Sequence, residues 1–218
     1  MENYTEKPYK LAVRWNWLSK YYDFLVANLM RETKFKSLLI KQFQQKMPEK
    51  ILDIGCGTAT LTVLMQKYYP QSKITGLDGD ENILALAKQK TQKENIHFDF
   101  VKAMSYEMPF ADDTFDVTAS SLVFHHLTDL DKVRTLKEAY RVLKPNGEIN
   151  IADFGKASNF MMRGLFHIIQ ILDGYDTTNS NVQGKIPEFM QQAGFKEVQE
   201  VSKLNTLLGT VSLYQGIK

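Results

Sequence analysis

Cysteine is almost absent from these 218 residues, with Cys56 standing alone. That excludes a disulfide framework and any zinc site built on several thiolates. No apolar run approaches the roughly 18 residues that a membrane span needs. The opening MENYTEKPYK lacks the apolar core of a secretory leader. The expectation is a soluble, cytoplasmic globular protein. A net charge of only +2 is too small for a dedicated nucleic-acid binder, whose affinity rests on neutralising many phosphates. No internal repeat or low-complexity tract interrupts the chain.

What is present suits a packed core. Residues of the apolar set make up 44% of the chain and charged ones 24%. The length implies one domain, or one domain with an elaborated end. Charge is unevenly shared: residues 1–50 carry net +5 and the remainder net −3. The basic segment also holds both tryptophans, Trp15 and Trp17. A solvated helix face explains it, and peripheral membrane contact through basic N-terminal helices is a second reading.

From Leu11 to Met47 the apolar residues recur at helical spacing, with Leu18, Tyr21, Tyr22, Leu25 and Leu29 in one stretch and Phe35, Leu38, Leu39 and Phe43 in the next. Pro48 closes the region, since the residue before a proline disfavours helix. Beyond it, strand-type runs at Lys50–Ile54, Lys73–Asp78, Ile96–Lys102, Phe115–Ser120 and Gly147–Asp153 are expected. Helical stretches at Thr60–Tyr69, Asn82–Gln92 and Leu130–Leu143 lie among them. The alternation implies parallel βαβ crossovers and a sheet covered by helices. Further on, Phe160–Leu172 reads as an apolar helix, Tyr175–Lys185 as a polar loop and Pro187–Ala193 as a short helix stopped by Gly194. Lys196–Leu204 and Thr210–Gly216 are close enough to pair antiparallel. The expected architecture is an α/β doubly wound sheet finished by a hairpin, with an N-terminal helical cap over 1–47 and the main domain over 48–218.

The strongest local signal is the run from Ile51 to Thr60, ILDIGCGTAT. A strand enters Gly55-Cys-Gly57 and leaves as a helix capped near Thr58 or Thr60. Glycine lets the backbone turn sharply and approach a ligand closely, and the first N–H groups of the helix favour an anion. A dinucleotide fold wants glycine at position 60, which is Thr60, and no Gly-Lys-Ser/Thr phosphate loop occurs. The pattern favours a nucleoside-like ligand. Asp78, ending the apolar second strand, is placed to accept from both hydroxyls of a ribose.

Four blocks in order carry a wider likeness: LDIGCGTAT (52–60), ITGLDGDENILALAK (74–88), MPFADDTFDVTASSLVFHHL (108–127) and LKEAYRVLKPNGEINIADF (136–154). Over residues 48–216 the chain resembles the class I S-adenosylmethionine-dependent methyltransferases, in the group that includes the ubiquinone/menaquinone-biosynthesis C-methyltransferases and many small-molecule methyltransferases. The resemblance implies a Rossmann-like seven-stranded sheet in the order 3-2-1-4-5-7-6 with strand 7 antiparallel, and S-adenosylmethionine as methyl donor, leaving as S-adenosylhomocysteine. It places Asp53, Gly55, Cys56 and Gly57 around the methionine part of that cofactor, Asp78 on the ribose with Gly79 beside it, and Ser120, Ser121 and Leu122 near the reacting methyl. The chain departs from the pattern twice. Ala59 replaces the third motif glycine, which is tolerable if its φ stays negative. Met104 stands where such proteins usually place an acid for the adenine amino group, so Met104 is expected to pack on the adenine, with backbone near Ser105 supplying hydrogen bonds. Phe110 reads as packing.

Cys56 reads as a small buried packing residue rather than a nucleophile. With no second cysteine and Ser120-Ser-Leu-Val123 after the fourth strand, nucleobase methylation is disfavoured. His125 and His126 are the candidate catalytic residues, able to take a proton from an acceptor near neutral pH. Four histidines without paired spacing give no metal site. The acceptor pocket is assigned to Trp17, Tyr21 and Tyr22 in the N-terminal stretch and to Phe166 and His167 in the later helix. Those apolar stretches suit a quinone-, lipid- or isoprenoid-like small molecule, or simply pack on the sheet. The alternatives are another S-adenosylmethionine-using transferase on the same fold, and a non-catalytic cofactor-binding partner subunit.

Overall fold

Short apolar runs bounded by lysine, glycine or proline form strands that are buried on both faces, as central parallel strands must be. In the computed structural model, which describes residues 31–45 and 47–218, β1 is Lys50–Ile54, β2 Lys73–Asp78, β3 Asp99–Lys102, β4 Phe115–Ser121, β5 Leu143–Phe154, β6 Lys196–Thr206 and β7 Gly209–Ile217. They form one seven-stranded sheet in the order β3-β2-β1-β4-β5-β7-β6. β1 to β5 run parallel, and β7 lies antiparallel to both β5 and β6. The expected topology is therefore met in full. β6 closes one edge with an exposed, charged face (Lys196, Glu197, Glu200, Lys203), which blunts edge-to-edge pairing.

The helices are α1 Glu32–Lys41, α2 Thr60–Tyr68, α3 Glu81–Lys93, α4 Asp129–Val142, α5 Phe160–Asp173, α6 Tyr175–Gln183 and α7 Ile186–Gln192. Alternate residues along each strand face opposite layers. Leu52, Ile54, Ile149 and Ile151 pack with Leu136 and Ala139 of α4 and Met190 of α7. Ile51, Val117 and Val211 pack with Phe35, Leu39 and Ile40 of α1, Leu61 and Met65 of α2 and Phe166 of α5. The chain after α1 is tied to the sheet by polar groups as well. Buried Glu148 accepts the N–H of Gln44 (3.0 Å) and Gln45 (2.8 Å) and Nε2 of Gln215 (2.8 Å), while Gln42 donates to Asn150 (2.9 Å).

Three expectations need correction. The segment read as a polar loop at Tyr175–Lys185 contains helix α6. Its buried face is itself polar (Thr178, Ser180, Asn181), so no apolar stripe announced it. β3 starts at Asp99 rather than Ile96, because the Ile96 N–H is taken by Thr91 O (3.0 Å) where α3 ends. β5 begins directly after α4, and a register shift between Phe115 and Val117 accommodates the Pro145-Asn146 turn within it. Trp17, Tyr21, Tyr22 and the rest of the N-terminal aromatic stretch lie outside the described residues. Among the described residues no helix is long and apolar enough to cross a membrane.

Candidate active site

Strand order reverses between β1 and β4, and ligands of open α/β sheets bind at the carboxyl ends of strands at such a point. There β1 runs into the glycine loop. Leu77 O of β2 accepts the N–H groups of both Gly55 (2.7 Å) and Cys56 (2.9 Å), folding the loop over the end of β2. Gly55 has φ +68° and Gly57 φ +54°, a region that side chains rarely occupy. A Cβ on Gly55 would lie 2.3 Å from Val123 Cγ2, so this glycine makes room for the turn after β4. A Cβ on Gly57 would meet nothing among the described residues within 4 Å; they leave an open cradle at that point. Ala59 has φ +63°, so the condition under which a methyl is tolerable at this position, a negative φ, is not met. It also starts α2 without a side-chain cap, so neither Thr58 nor Thr60 caps the helix as expected.

Two carboxylates flank the cradle. Asp53 is 1% exposed; its Oδ2 accepts from Thr62 Oγ1 (2.6 Å) and its Oδ1 has no partner among the described residues. Burial pushes its pKa up to about 6, against the opposing pull of the Thr62 hydroxyl. Asp78 accepts the Gly57 N–H at Oδ2 (2.9 Å) and the Asp80 N–H at Oδ1 (2.9 Å), which locks the acid to the loop. Desolvation holds its pKa above the usual carboxylate range, although those backbone donors oppose it. Cys56 is buried, and burial followed by the charges of Asp53 and Asp78 pushes its thiol far upward.

Met104 lies against Gly79, where a Cβ would come within 2.7 Å of its sulfur. The Ser105 hydroxyl turns away to Thr135 of α4 (2.9 Å). Ser120 donates to Ile54 O (2.9 Å), joining β4 to β1, whereas the buried Ser121 hydroxyl at the strand end has no partner among the described residues. Phe110 packs edge-on to Phe115, with centroids 5.1 Å apart. An unpaired carboxylate oxygen, an unpaired hydroxyl and an open glycine cradle, with an anchored acid opposite, fit a nucleoside carrying an amino-acid tail. The acids suit its ammonium and ribose hydroxyls.

The two candidate histidines sit in a 3₁₀ turn, Phe124–His126. His125 is buried, with Nδ1 2.8 Å from Asp153 Oδ1 at the end of β5. His126 is exposed at the surface of the turn, its ring centroid 3.9 Å from that of His125. The protein packed around His126 and the neighbouring His125 ring both hold its pKa below the ordinary histidine value. Phe166 is only 3% exposed and packs on Phe154 (centroids 4.6 Å apart) beneath the β6–β7 hairpin, while His167 is exposed, 6.4 Å from Tyr175. The two pocket candidates on α5 thus point to different surroundings. A cavity of about 610 Å³ opens at the opposite end of the sheet, between Lys50, Lys73, Phe98, Asp99, Phe110 and Phe115. None of the glycine-loop residues lines it, so volume does not mark the site here.

Residues 51–147 match the methyltransferase domain family. Demethylmenaquinone methyltransferase of Lactobacillus johnsonii is 28% identical over 223 aligned positions, covering 92% of this chain and 89% of that protein. The ubiquinone/menaquinone biosynthesis C-methyltransferase UbiE of Geotalea daltonii is 28% identical and covers 98% of both chains. These matches support a class I S-adenosylmethionine-dependent methyltransferase. The methyltransferase shares its fold with a SAM-dependent methyltransferase of Aquifex aeolicus (TM-score 0.64, 20% identity, 84% of this chain and 89% of that one). It shares it too with human N-acetylserotonin methyltransferase (TM-score 0.67, 18% identity, 84% and 51%).

Two polar residues of the methyltransferase escaped the sequence reading. Asp153 receives His125, and Lys132, wholly buried in α4, donates to Thr177 O and Ser180 Oγ (both 2.6 Å) of α6. A signal existed for the first: Asp153 ends the apolar run of β5 much as Asp78 ends that of β2. Nothing local marked the second.

Proposed function

We infer that this methyltransferase methylates a carbon of a quinone of the demethylmenaquinone type. The observation that supports this reading most is the pair of relatives whose names carry that activity, aligned over 92% and 98% of this chain. The apolar character of α5, with Phe160 and Met161 exposed at its start, agrees with an apolar acceptor.

In this reading Asp53 and the Gly55-Cys56-Gly57 backbone hold the methionine end of S-adenosylmethionine, and Asp78, fixed by Gly57 N–H, takes the ribose hydroxyls beside Gly79. Met104 lies along the adenine, and backbone near Ser105 supplies its polar contacts. When bound, S-adenosylmethionine supplies a methyl group already activated on a sulfonium. The chain therefore needs chiefly to align acceptor and methyl in line and to exclude water, which supplies much of the rate. Ser120 and Ser121 at the end of β4 border the place of transfer. Replacing a ring hydrogen by methyl releases one proton, which leaves to solvent past the exposed His126 ring, while His125 is committed to Asp153.

The test is incubation of the protein with methyl-labelled S-adenosylmethionine and demethylmenaquinone, oxidised and reduced. Label in a product one CH₂ heavier is expected from the reduced, electron-rich form. Normal binding of S-adenosylhomocysteine with no transfer to either form would reject this acceptor.

A further inference from the structure

At the carboxyl end of β5 one buried carboxylate gathers four donors. Asp153 Oδ2 accepts the Phe124 N–H (2.7 Å). Its Oδ1 accepts His125 Nδ1–H (2.8 Å), the Phe154 N–H (2.7 Å) and Asn181 Nδ2 of α6 (3.2 Å). Burial alone would raise its pKa, but the two histidines and these donors more than offset that and hold it below the carboxylate range. An ionised acid is an acceptor at both oxygens, so it fixes the proton of His125 on Nδ1.

The turn held in this way is the one that touches the cofactor loop. Leu122, at φ +59°, leaves β4 with its N–H on Ala152 O (2.8 Å), and His126 N–H closes the turn on Val123 O (3.0 Å). Val123 stands directly against Gly55. His125 lies edge-on to Phe154 (5.0 Å) and against His126 (3.9 Å). A shift of the Asp153 carboxylate therefore moves Val123 over the glycine loop and the His126 ring beside it, while neither Asp53 nor Asp78 touches Asp153.

We propose that Asp153 is a positioning residue for methyl transfer, holding the Leu122–His126 turn over the glycine loop and, through His125, orienting the exposed His126 ring. The proposal rests on the methyltransferase reading of the site and names a residue to which the resemblance assigned no role. Its chemistry has a built-in asymmetry. All four contacts to Asp153 are donors, so an amide of the same shape sets its NH₂ against at least one of them.

The experiment compares Asp153→Asn with the wild-type chain by three measurements. These are calorimetric titration with S-adenosylhomocysteine, turnover of reduced demethylmenaquinone, and amide exchange of the S-adenosylhomocysteine complex. The expected result is a Kd within threefold, a kcat at least thirtyfold lower, and a Phe124 amide exchanging at least tenfold faster while β7 amides stay within threefold. A kcat within threefold of wild type, or equal loss of kcat and affinity, would overturn the proposal. His125→Asn is the second variant, because its amide nitrogen can still donate to Asp153 while the ring is gone. Phe124 should then stay protected and kcat fall at least tenfold; undiminished kcat overturns the orienting role even if Asp153→Asn fails to fold. Should wild-type protein not methylate demethylmenaquinone, the acceptor reading fails. Exchange at Phe124 then decides the positioning by itself, and an unchanged rate in Asp153→Asn would reject it.

Discussion

Gly55 and Gly57 stand two residues apart with similar backbone angles, yet a methyl group added to each should fail in different ways. At Gly57 the added Cβ meets no atom of the described residues within 4 Å, so the cost they impose on the free protein is its φ of +54°. A side chain in that region costs about 1–2 kcal/mol, and the stiffer unfolded chain returns about 0.4–1 kcal/mol. Gly57→Ala should thus lose about 0–1.6 kcal/mol, a fall in Tm of at most roughly 6 °C for a chain of this size. The same methyl occupies the cradle, and overpacking there of about 1–3 kcal/mol corresponds to roughly a 5- to 150-fold loss of affinity for S-adenosylhomocysteine. At Gly55 the order reverses. The Cβ would overlap Val123 Cγ2 at 2.3 Å, adding about 1–3 kcal/mol of overpacking to the backbone strain, so the free protein itself should be destabilised by about 2–5 kcal/mol. Thermal melts without ligand and calorimetric titration with S-adenosylhomocysteine separate the two. If Gly57→Ala binds as tightly as wild type, the loop does not cradle the cofactor and the site has been placed wrongly.

Asp53 gives a pH signature. Its folded pKa of about 6 lies above the unfolded value of 3.8, so the native state binds this proton more tightly. Its contribution is full below about pH 4 and lost as pH rises through 6, amounting to about 3 kcal/mol. Asp53→Asn should gain up to that much relative to wild type at pH 7.5 and little at pH 4, and denaturant melts showing equal differences at both would count against the raised value. Lys132→Met removes the donor to Thr177 O and Ser180 Oγ. A loss of about 2–4 kcal/mol is expected, with faster amide exchange through Tyr175–Gln183; exchange confined to α4 would contradict the clamp. Cys56, buried with its thiol pushed upward, should resist iodoacetamide at pH 8 in the folded protein and react only on unfolding. Rapid alkylation of native protein, followed by mass spectrometry, would show otherwise.

Where apolar periodicity carries the information, the sequence was legible. β1 and β2 fall at the residues expected, and the terminal hairpin pairs as read, because their side chains alternate or fill a sheet buried on both faces. The same held for the glycine loop and Asp78, which lie within a single strand–turn–helix and its neighbour. Legibility failed where burial is polar. α6 hides Thr178, Ser180 and Asn181 behind a composition that reads as loop, since Ser180 and Asn181 find their partners Lys132 and Asp153 on α4 and β5. Ala59 showed the limit of reading one residue type: alanine says nothing about φ, and the neighbouring turn forced it positive. Asp153 and His125 are 28 residues apart, and only the packing of β4 beside β5 brings them together.

The hydrogen bonds of Glu148 bear on where this protein can be cut. Its buried carboxylate is capped by the backbone of Gln44 and Gln45, and Phe43 stacks on Tyr69 from the same short stretch, with centroids 5.7 Å apart. A truncation at Pro48, the boundary that sequence pattern suggests, would strip two donors from a charge inside the sheet and leave a hole above β5. A chain starting there should express poorly, and one starting before Glu32 should not. Phe43, Gln44 and Gln45 are thus a plug in the floor of the sheet rather than the end of a separable cap.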